Sequence, residues 1–163
     1  MVMAQQKREE WLDKPKRCDN CQSPRIVNAD NCIIYGRNYG DWPRIWFCRS
    51  CNAAVSCHPG TNYPMGKMAT LETRQARRRA HKYFDKIFRK HKIMSRTDAY
   101  YWLASSMMIP KSECHISYFN AEQCERVVEL SRELIRRAKQ KPRTMTHVRG
   151  RKVTKPGHRR KLR

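Results

Sequence analysis

Four cysteines in the first third of the chain have the spacing that a bound metal ion requires. They form two Cys-x-x-Cys pairs, Cys18 with Cys21 and Cys48 with Cys51. Two residues between the ligands let a tight turn place both sulfurs on one ion, and two such turns complete a tetrahedral set. Four thiolates suit Zn²⁺ and leave no coordination position open for a substrate. The pattern therefore predicts one structural zinc ion.

The other reactive side chains make a weaker case for chemistry. His81 and Asp85 lie one helical turn apart, and such a pair can hold a metal ion or activate water, so a metal-dependent nuclease is one alternative. Cys57-His58 and Cys114-His115 could supply a second metal site, although no spacing specifies one. No acidic cluster, nucleophile motif or glycine-rich phosphate loop is present, which favours binding over catalysis. The candidates for an active site are His58, His81, Asp85 and His115.

The two cysteine pairs need short strands to bring them together. β-branched and aromatic residues predict strands at 25–27, 32–35, 44–48 and 53–56, and the polar residues 28–31 predict a turn between the first two. A hairpin between two Cys-x-x-Cys turns is the arrangement of a zinc ribbon. The sequence therefore predicts a zinc ribbon of three to four short antiparallel strands.

Three amphipathic helices are predicted after a loop rich in proline and glycine at 58–67. The first runs from about residue 70 to 91. The second begins after Ser95 and ends near 108, and the third begins after Asn120, both at capping-box motifs. The predicted apolar stripes consist of Ala76, Ala80, Tyr83, Phe84, Ile87 and Phe88; of Ala99, Trp102, Leu103 and Met107; and of Cys124, Val127, Val128, Leu134 and Ile135.

These elements predict an α+β protein whose parts follow one another along the chain. The expected order is a flexible segment at 1–16, the zinc ribbon at 17–62, a helical region packed on the ribbon at 63–138, and a basic tail at 139–163. From residue 141 onward the tail has ten Lys or Arg and no acid, so it cannot build a core and is predicted to be disordered.

The charge of the chain limits the classes of partner. Lys and Arg number 36 against 14 acids, for a net charge of +22. Such an excess repels itself in the folded state and is typical of proteins that bind a polyanion, of which nucleic acid is the first candidate. No segment approaches the roughly 20 apolar residues that span a bilayer, and no amphipathic helix remains for a membrane surface. No signal peptide is visible, which predicts a cytoplasmic protein.

Cationic and aromatic side chains are the candidates for nucleic-acid contact. Arg74, Arg78 and Lys82 share one face of the first long helix, where a row of cations suits phosphates, although a solvated helix face is the plain alternative. Tyr35, Tyr39, Trp42 and Trp46 are interleaved with arginine near the ribbon and suit single strands, although the ribbon's own small core is the favoured interpretation for Tyr35 and Trp46. The tail adds a basic arm, unless it serves only solubility or localisation. The full set is Arg37, Trp42, Arg44, Arg49, Arg74, Arg77, Arg78, Lys82, Arg149, Arg151, Lys152, Arg159, Arg160 and Lys161.

Several blocks of residues, in order, resemble an uncharacterised zinc-finger-containing family of phage and bacterial genomes. Besides the cysteine pairs, the blocks are Ile34-Tyr35-Gly36, Tyr39-Gly40, Cys57-His58-Pro59-Gly60-Thr61, Pro64-Met65-Gly66, Arg74 to Asp85, Ala99 to Ala104, and Cys114 to Phe119. Gln22 and Ser117 depart from it, because glycine is usual there. The resemblance implies the zinc site and a phage-like context, and it implies no mechanism.

The combined expectation is a zinc-stabilised, phage-type accessory protein that binds DNA or RNA mainly through the phosphate backbone. Its partner would be nucleic acid or a ribonucleoprotein, in the host cytoplasm if the protein is phage-encoded. The second hypothesis is a regulator that binds a host machine, such as a polymerase or the ribosome, through an acidic protein surface.

Overall fold

The structure, a computed structural model, describes residues 11–140. A three-stranded antiparallel sheet precedes a group of helices, so the predicted α+β class is confirmed. No helix in the described range is long and apolar enough to cross a membrane. The elements are β1 (Ile26–Asp30), α1 (Cys32–Tyr35), β2 (Arg44–Cys48), β3 (Ala54–Ser56), α2 (Leu71–Phe88), α3 (Arg96–Met107) and α4 (Ala121–Gln140), with short 3-10 turns at Lys111–Glu113 and Ile116–Tyr118.

The sheet has β2 at its centre, with β1 and β3 antiparallel on either side. Ile26 lies opposite Cys48 and Asp30 lies opposite Arg44, so the register brings a carboxylate and a guanidinium together across the strands. The Arg44 Nη1 atom lies 3.1 Å from Asp30 Oδ1. This pair stabilises the end of the sheet that is farthest from the second cysteine pair.

The predicted hairpin between 25–27 and 32–35 is wrong. Asn28, Ala29 and Asp30 of the predicted turn continue β1, because each of them pairs with a residue of β2. The run Cys32–Tyr35 is one turn of helix instead of a strand, and it ends where Gly36 adopts a positive φ of 74°. The strand predicted at 44–48 is confirmed, and the one predicted at 53–56 is confirmed from Ala54.

The loop at 58–67 turns the chain back onto the sheet. Cys57 forms a β-bridge with Pro64, and the Met65 backbone N–H donates to the Ser56 carbonyl over 2.8 Å. Ala69 then bridges Ala54 just before α2 begins. The chain therefore enters α2 directly from the edge of the ribbon, which sets the helix beside the sheet.

The three long helices form the main hydrophobic core. α2 and α4 pack together along their length, and Phe84, Leu103 and Val127 are fully buried between the helices. Ser95 accepts a hydrogen bond from the Asp98 backbone N–H, and Asn120 and Gln123 exchange bonds, so both predicted capping boxes are present. The predicted apolar stripes all belong to this core, as buried or partly buried residues.

The ends of the helical region differ slightly from prediction. α2 ends at Phe88, three residues before the predicted end, and α4 continues to Gln140. The residues at 139–140 are therefore helical instead of the start of the tail. The rest of the predicted tail and residues 1–10 of the predicted flexible segment lie outside the described residues.

Candidate functional site

The two cysteine pairs lie on backbone turns of the same geometry. The Cys18 carbonyl accepts a hydrogen bond from the Gln22 N–H, and the Cys48 carbonyl accepts one from the Asn52 N–H, both over 2.9 Å. Gln22 and Asn52 each have a φ of 58°, in the left-handed region. Each turn thereby directs its two sulfurs to the same side, toward the other turn.

The four sulfur atoms form a compact cluster. Cys18 Sγ lies 3.6 Å from Cys51 Sγ, and Cys21 Sγ lies 3.7 Å from Cys48 Sγ. All four ligand atoms are within 4.8 Å of one another. A tetrahedron of Zn–S bonds of about 2.3 Å places its sulfurs about 3.8 Å apart, so the cluster fits one structural zinc ion.

The electrostatics of the cluster also favour a cation. Burial raises the pKa of the Cys18 thiol to about 12, which keeps it protonated in the absence of a positive partner. Burial opposes ionisation at Cys48 too, but hydrogen bonds from the backbone N–H groups of Cys51 and Ser50 and from the Cys21 and Cys51 thiols together bring its pKa down to about 7. Four adjacent thiols cannot all ionise unaided, and a bound Zn²⁺ supplies the charge that makes four thiolates stable together.

Neighbouring groups hold the two turns in place. The hydroxyls of Ser23 and Ser50 are hydrogen-bonded at 2.8 Å, which links the first turn to the second. The Asp19 carboxylate accepts a bond of 2.7 Å from the Met68 backbone N–H, and the Met68 side chain packs on Cys18 and Cys48. The zinc site is thus attached to the segment that leads into α2.

The remaining cysteines do not form a second cluster. Within residues 11–140 the zinc-ligand group is the one set of three or more His, Cys, Asp or Glu side chains close enough for a metal. Cys57 is buried and accepts a weak bond from Asn28, whereas Cys114 and Cys124 are buried in the helical core and Cys32 is exposed. Cys57 and Cys114 are therefore buried in different surroundings, and the two Cys-His pairs do not form one metal site among the described residues.

The candidate catalytic residues divide between two places. His58 and His115 line one groove of about 720 Å³, together with Lys111. His58 stacks on Trp11 with ring centroids 4.2 Å apart, and burial lowers its pKa, which favours the neutral ring.

The other two candidates, His81 and Asp85, lie on α2 outside that groove. The His81 Nδ1 atom is 3.8 Å from Asp85 Oδ1, and the same carboxylate is 3.5 Å from Arg89 Nε. Asp85 thus has an arginine partner as well as the histidine. The structure does not bring the four candidates into one site.

The ribbon's predicted contact residues have different surroundings. Arg37 and Arg49 are exposed, and Trp42 is partly exposed with its indole N–H donating to the Thr61 carbonyl. Arg44 is not free to contact a ligand in the same way, because its guanidinium donates hydrogen bonds to the Asp30 carboxylate and to the Asn28 side chain. Arg44 supports the sheet, whereas the other three present their side chains to solvent.

The arginines of α2 also differ in role. Arg77 donates to the Phe119 carbonyl and to the Lys67 carbonyl, over 2.8 and 2.7 Å, so it joins α2 to the two flanking loops. Arg78 and Lys82 are exposed. Among the described residues Arg74, Arg78 and Lys82 take part in no ion pair, whereas Arg79 is paired with Glu125. No carboxylate among the described residues therefore offsets the charge of this row.

A cleft separates α2 from the ribbon, and the sequence alone did not predict it. It has a volume of about 500 Å³, and Arg74 and Arg78 line one side while Tyr35 and Tyr39 line the other. The four side chains come from distant parts of the sequence, so only the return of the loop at 58–67 brings them together. The sequence offered the aromatics near the ribbon and the cationic face of α2 as two separate signals, and it did not indicate that they adjoin. The tail candidates Arg149, Arg151, Lys152, Arg159, Arg160 and Lys161 lie outside the described residues.

Two matched cysteine turns, a three-stranded sheet and a closed four-sulfur site define a zinc ribbon, in which the metal supports the fold. Residues 14–134 match the family model of the zinc-finger-containing domain DUF3268. This match covers most of the chain, so the chain belongs to that family. No curated protein and no solved structure matches the chain.

Proposed function

We propose that this protein is a nucleic-acid-binding accessory protein of the phage type, which holds DNA or RNA mainly through phosphate contacts. The observation that carries the proposal is the unpaired cationic row Arg74, Arg78 and Lys82, which runs along α2 beside the cleft. Successive members are one helical turn apart, so they form a continuous strip of positive charge. Such a strip displaces counterions from a phosphate backbone and gains affinity from their release.

The positions of the acidic residues also support the α2 row as the binding surface. On α4, Glu129 and Glu133 pair with neighbouring arginines of the same helix, and Glu125 pairs with Arg79. These pairs offset part of the positive charge on that side of the helical region. Among the described residues, Arg96, Arg132 and Lys139 also take part in no ion pair. What distinguishes the α2 row is that its three cations stand one turn apart on a single helix face, which gives this surface a direction that net charge alone does not.

The test is the salt dependence of binding to labelled oligonucleotides, measured by fluorescence anisotropy. Replacing Arg78 and Lys82 together by alanine should weaken binding and reduce the slope of log affinity against log salt by about 1.5, since each phosphate contact contributes roughly 0.7 to 0.9. The control is the double variant Arg126→Ala/Arg136→Ala, which removes the same charge from α4 outside the cleft.

Equal losses in the two double variants would show that net charge acts without a defined surface. Affinity that is independent of salt, or partners that survive nuclease treatment in a pull-down, would replace the proposal with binding of an acidic protein surface. A host polymerase or ribosome is the kind of partner that this outcome would indicate.

A further inference from the structure

The cleft between α2 and the ribbon combines three kinds of surface in one place. Its floor is apolar and includes Ile34, Ile45 and Val55, and its rims carry tyrosines on one side and arginines on the other. Its volume of about 500 Å³ falls within the range of roughly 300 to 1,000 Å³ that is usual for ligand pockets. A flat apolar group with a nearby negative charge matches this combination.

The aromatic rim is held in position by its own backbone. The Asn31 side-chain amide donates to the Tyr39 carbonyl over 2.8 Å, and its oxygen accepts from the Tyr39 N–H over 3.0 Å. Both bonds involve the backbone of Tyr39, so they hold the residue in place without using its ring. Tyr35 and Tyr39 are each 46% exposed, which leaves ring surface open for stacking.

The two tyrosine rings form a corner with a cation beside it. Their centroids are 5.4 Å apart and the planes meet at 83°, while the Arg37 guanidinium lies 4.6 Å from the Tyr39 centroid. Arg37 Nε also donates to the Tyr39 hydroxyl over 2.7 Å. Aromatic rings with adjacent arginine are the surface on which unpaired bases stack.

The opposite rim contains an arginine with spare bonding capacity. Arg74 Nη1 donates to the Tyr35 hydroxyl over 3.2 Å, which joins the two rims. Arg74 Nε is buried and has no acceptor among the described residues. The Arg74 guanidinium therefore has a donor that no described protein group satisfies.

We infer that this cleft binds one unpaired nucleobase of a single-stranded nucleic acid, with the flanking phosphates on Arg74 and Arg78. The inference rests on the proposed function and specifies its substrate class. A base in a duplex is stacked on both faces and cannot enter the cleft unless it is flipped out, which costs a few kcal/mol. The chain should therefore select single strands over duplexes.

The cleft should accept different bases. The Asn31 amide is bonded through both its nitrogen and its oxygen to the Tyr39 backbone, so its position serves the rim instead of following a base edge. Stacking tolerates any base, because every base has a π-face. The cleft should then distinguish single strands from duplexes, and it should not distinguish one base sequence from another.

The experiment compares three probes of equal length: labelled oligothymidylate, oligouridylate and a duplex of mixed sequence. Tyr39→Leu removes the ring from an exposed position, and Tyr39→Phe keeps it. We expect Tyr39→Leu to weaken single-strand binding about tenfold, to leave duplex binding unchanged, and Tyr39→Phe to retain full single-strand affinity. An unchanged zinc content in both variants confirms that the ribbon is intact.

The outcomes distinguish failure of this inference from failure of the proposed function, which is binding of nucleic acid through phosphate contacts. If no probe binds in a salt-dependent manner, the proposed function fails and the inference fails with it. If the probes bind but the duplex binds as tightly as the single strands, or if Tyr39→Leu lowers all affinities equally, the inference alone is overturned.

Discussion

Gln22 and Asn52 occupy equivalent positions after the second cysteine of each turn, and both have a φ of 58°. Asparagine tolerates this left-handed conformation, because its short polar side chain bonds locally, whereas glutamine does not share that tolerance. The spacing of the cysteines was sufficient to predict the metal site, since two residues between ligands impose one kind of turn. The sequence already marked Gln22 as the poorer residue at this position, and the backbone geometry adds that both turns require the left-handed conformation.

Replacing Gln22 by glycine should stabilise the zinc-loaded protein. Glycine has no Cβ to clash in the left-handed region, and the relief exceeds the entropy that glycine adds to the unfolded chain. We expect the free energy of unfolding in urea to rise by up to about 1 kcal/mol. Asn52→Gly is the matched control and should give a smaller gain. A decrease in stability at position 22, or equal gains at both, would contradict the strain argument.

Among the elements, β2, β3 and the helices were predictable and the start of the sheet was not. The capping boxes and the apolar repeats are local signals, and they identified the helices correctly. β1 extends through polar residues only because β2 pairs with them, which is a tertiary effect that overrides propensity. The β-branched residues of α1 favour a strand by propensity. In the structure no strand pairs with this segment, so it forms one turn of helix instead.

The two halves of the fold should respond differently to removal of zinc. The ribbon cluster has few buried residues, Cys18, Cys48, Ala53 and Met68, whereas the helical cluster is larger and contains no metal ligand. A strong chelator should therefore unfold the ribbon and leave most of the helical circular dichroism at 222 nm. Tryptophan fluorescence should shift at the same time, since Trp46 packs against the zinc site and its indole N–H donates to the Asn62 carbonyl.

Trp102→Phe provides the control for this measurement, because it removes the tryptophan of the helical core and leaves those of the ribbon. The shift on chelation should persist in this variant. If fluorescence and helicity disappear together, the helices depend on the ribbon and the two halves form one cooperative unit. If neither changes, the metal does not support the fold.

At the scale of the whole molecule, charge and selectivity belong to different regions. The segment from residue 141 onward carries ten of the 36 Lys and Arg residues and no acid, while the cleft combines two arginines with two tyrosines. Composition predicted the first feature, because counting charges needs no fold. It gave no indication of the second, since Tyr35, Tyr39, Arg74 and Arg78 become neighbours only through the packing of α2 beside the ribbon.

Deleting residues 141–163 should therefore change affinity without changing selectivity. Each cation that neutralises a phosphate contributes roughly 0.7 to 0.9 to the salt slope, so removing several of them should reduce the slope by more than the Arg78→Ala/Lys82→Ala variant does. The ratio of single-strand to duplex affinity should be preserved in the truncated protein, because the cleft remains intact. A truncation that leaves the slope unchanged would show that the tail does not bind phosphates. One that abolishes the preference for single strands would place the selective site in the tail instead of the cleft.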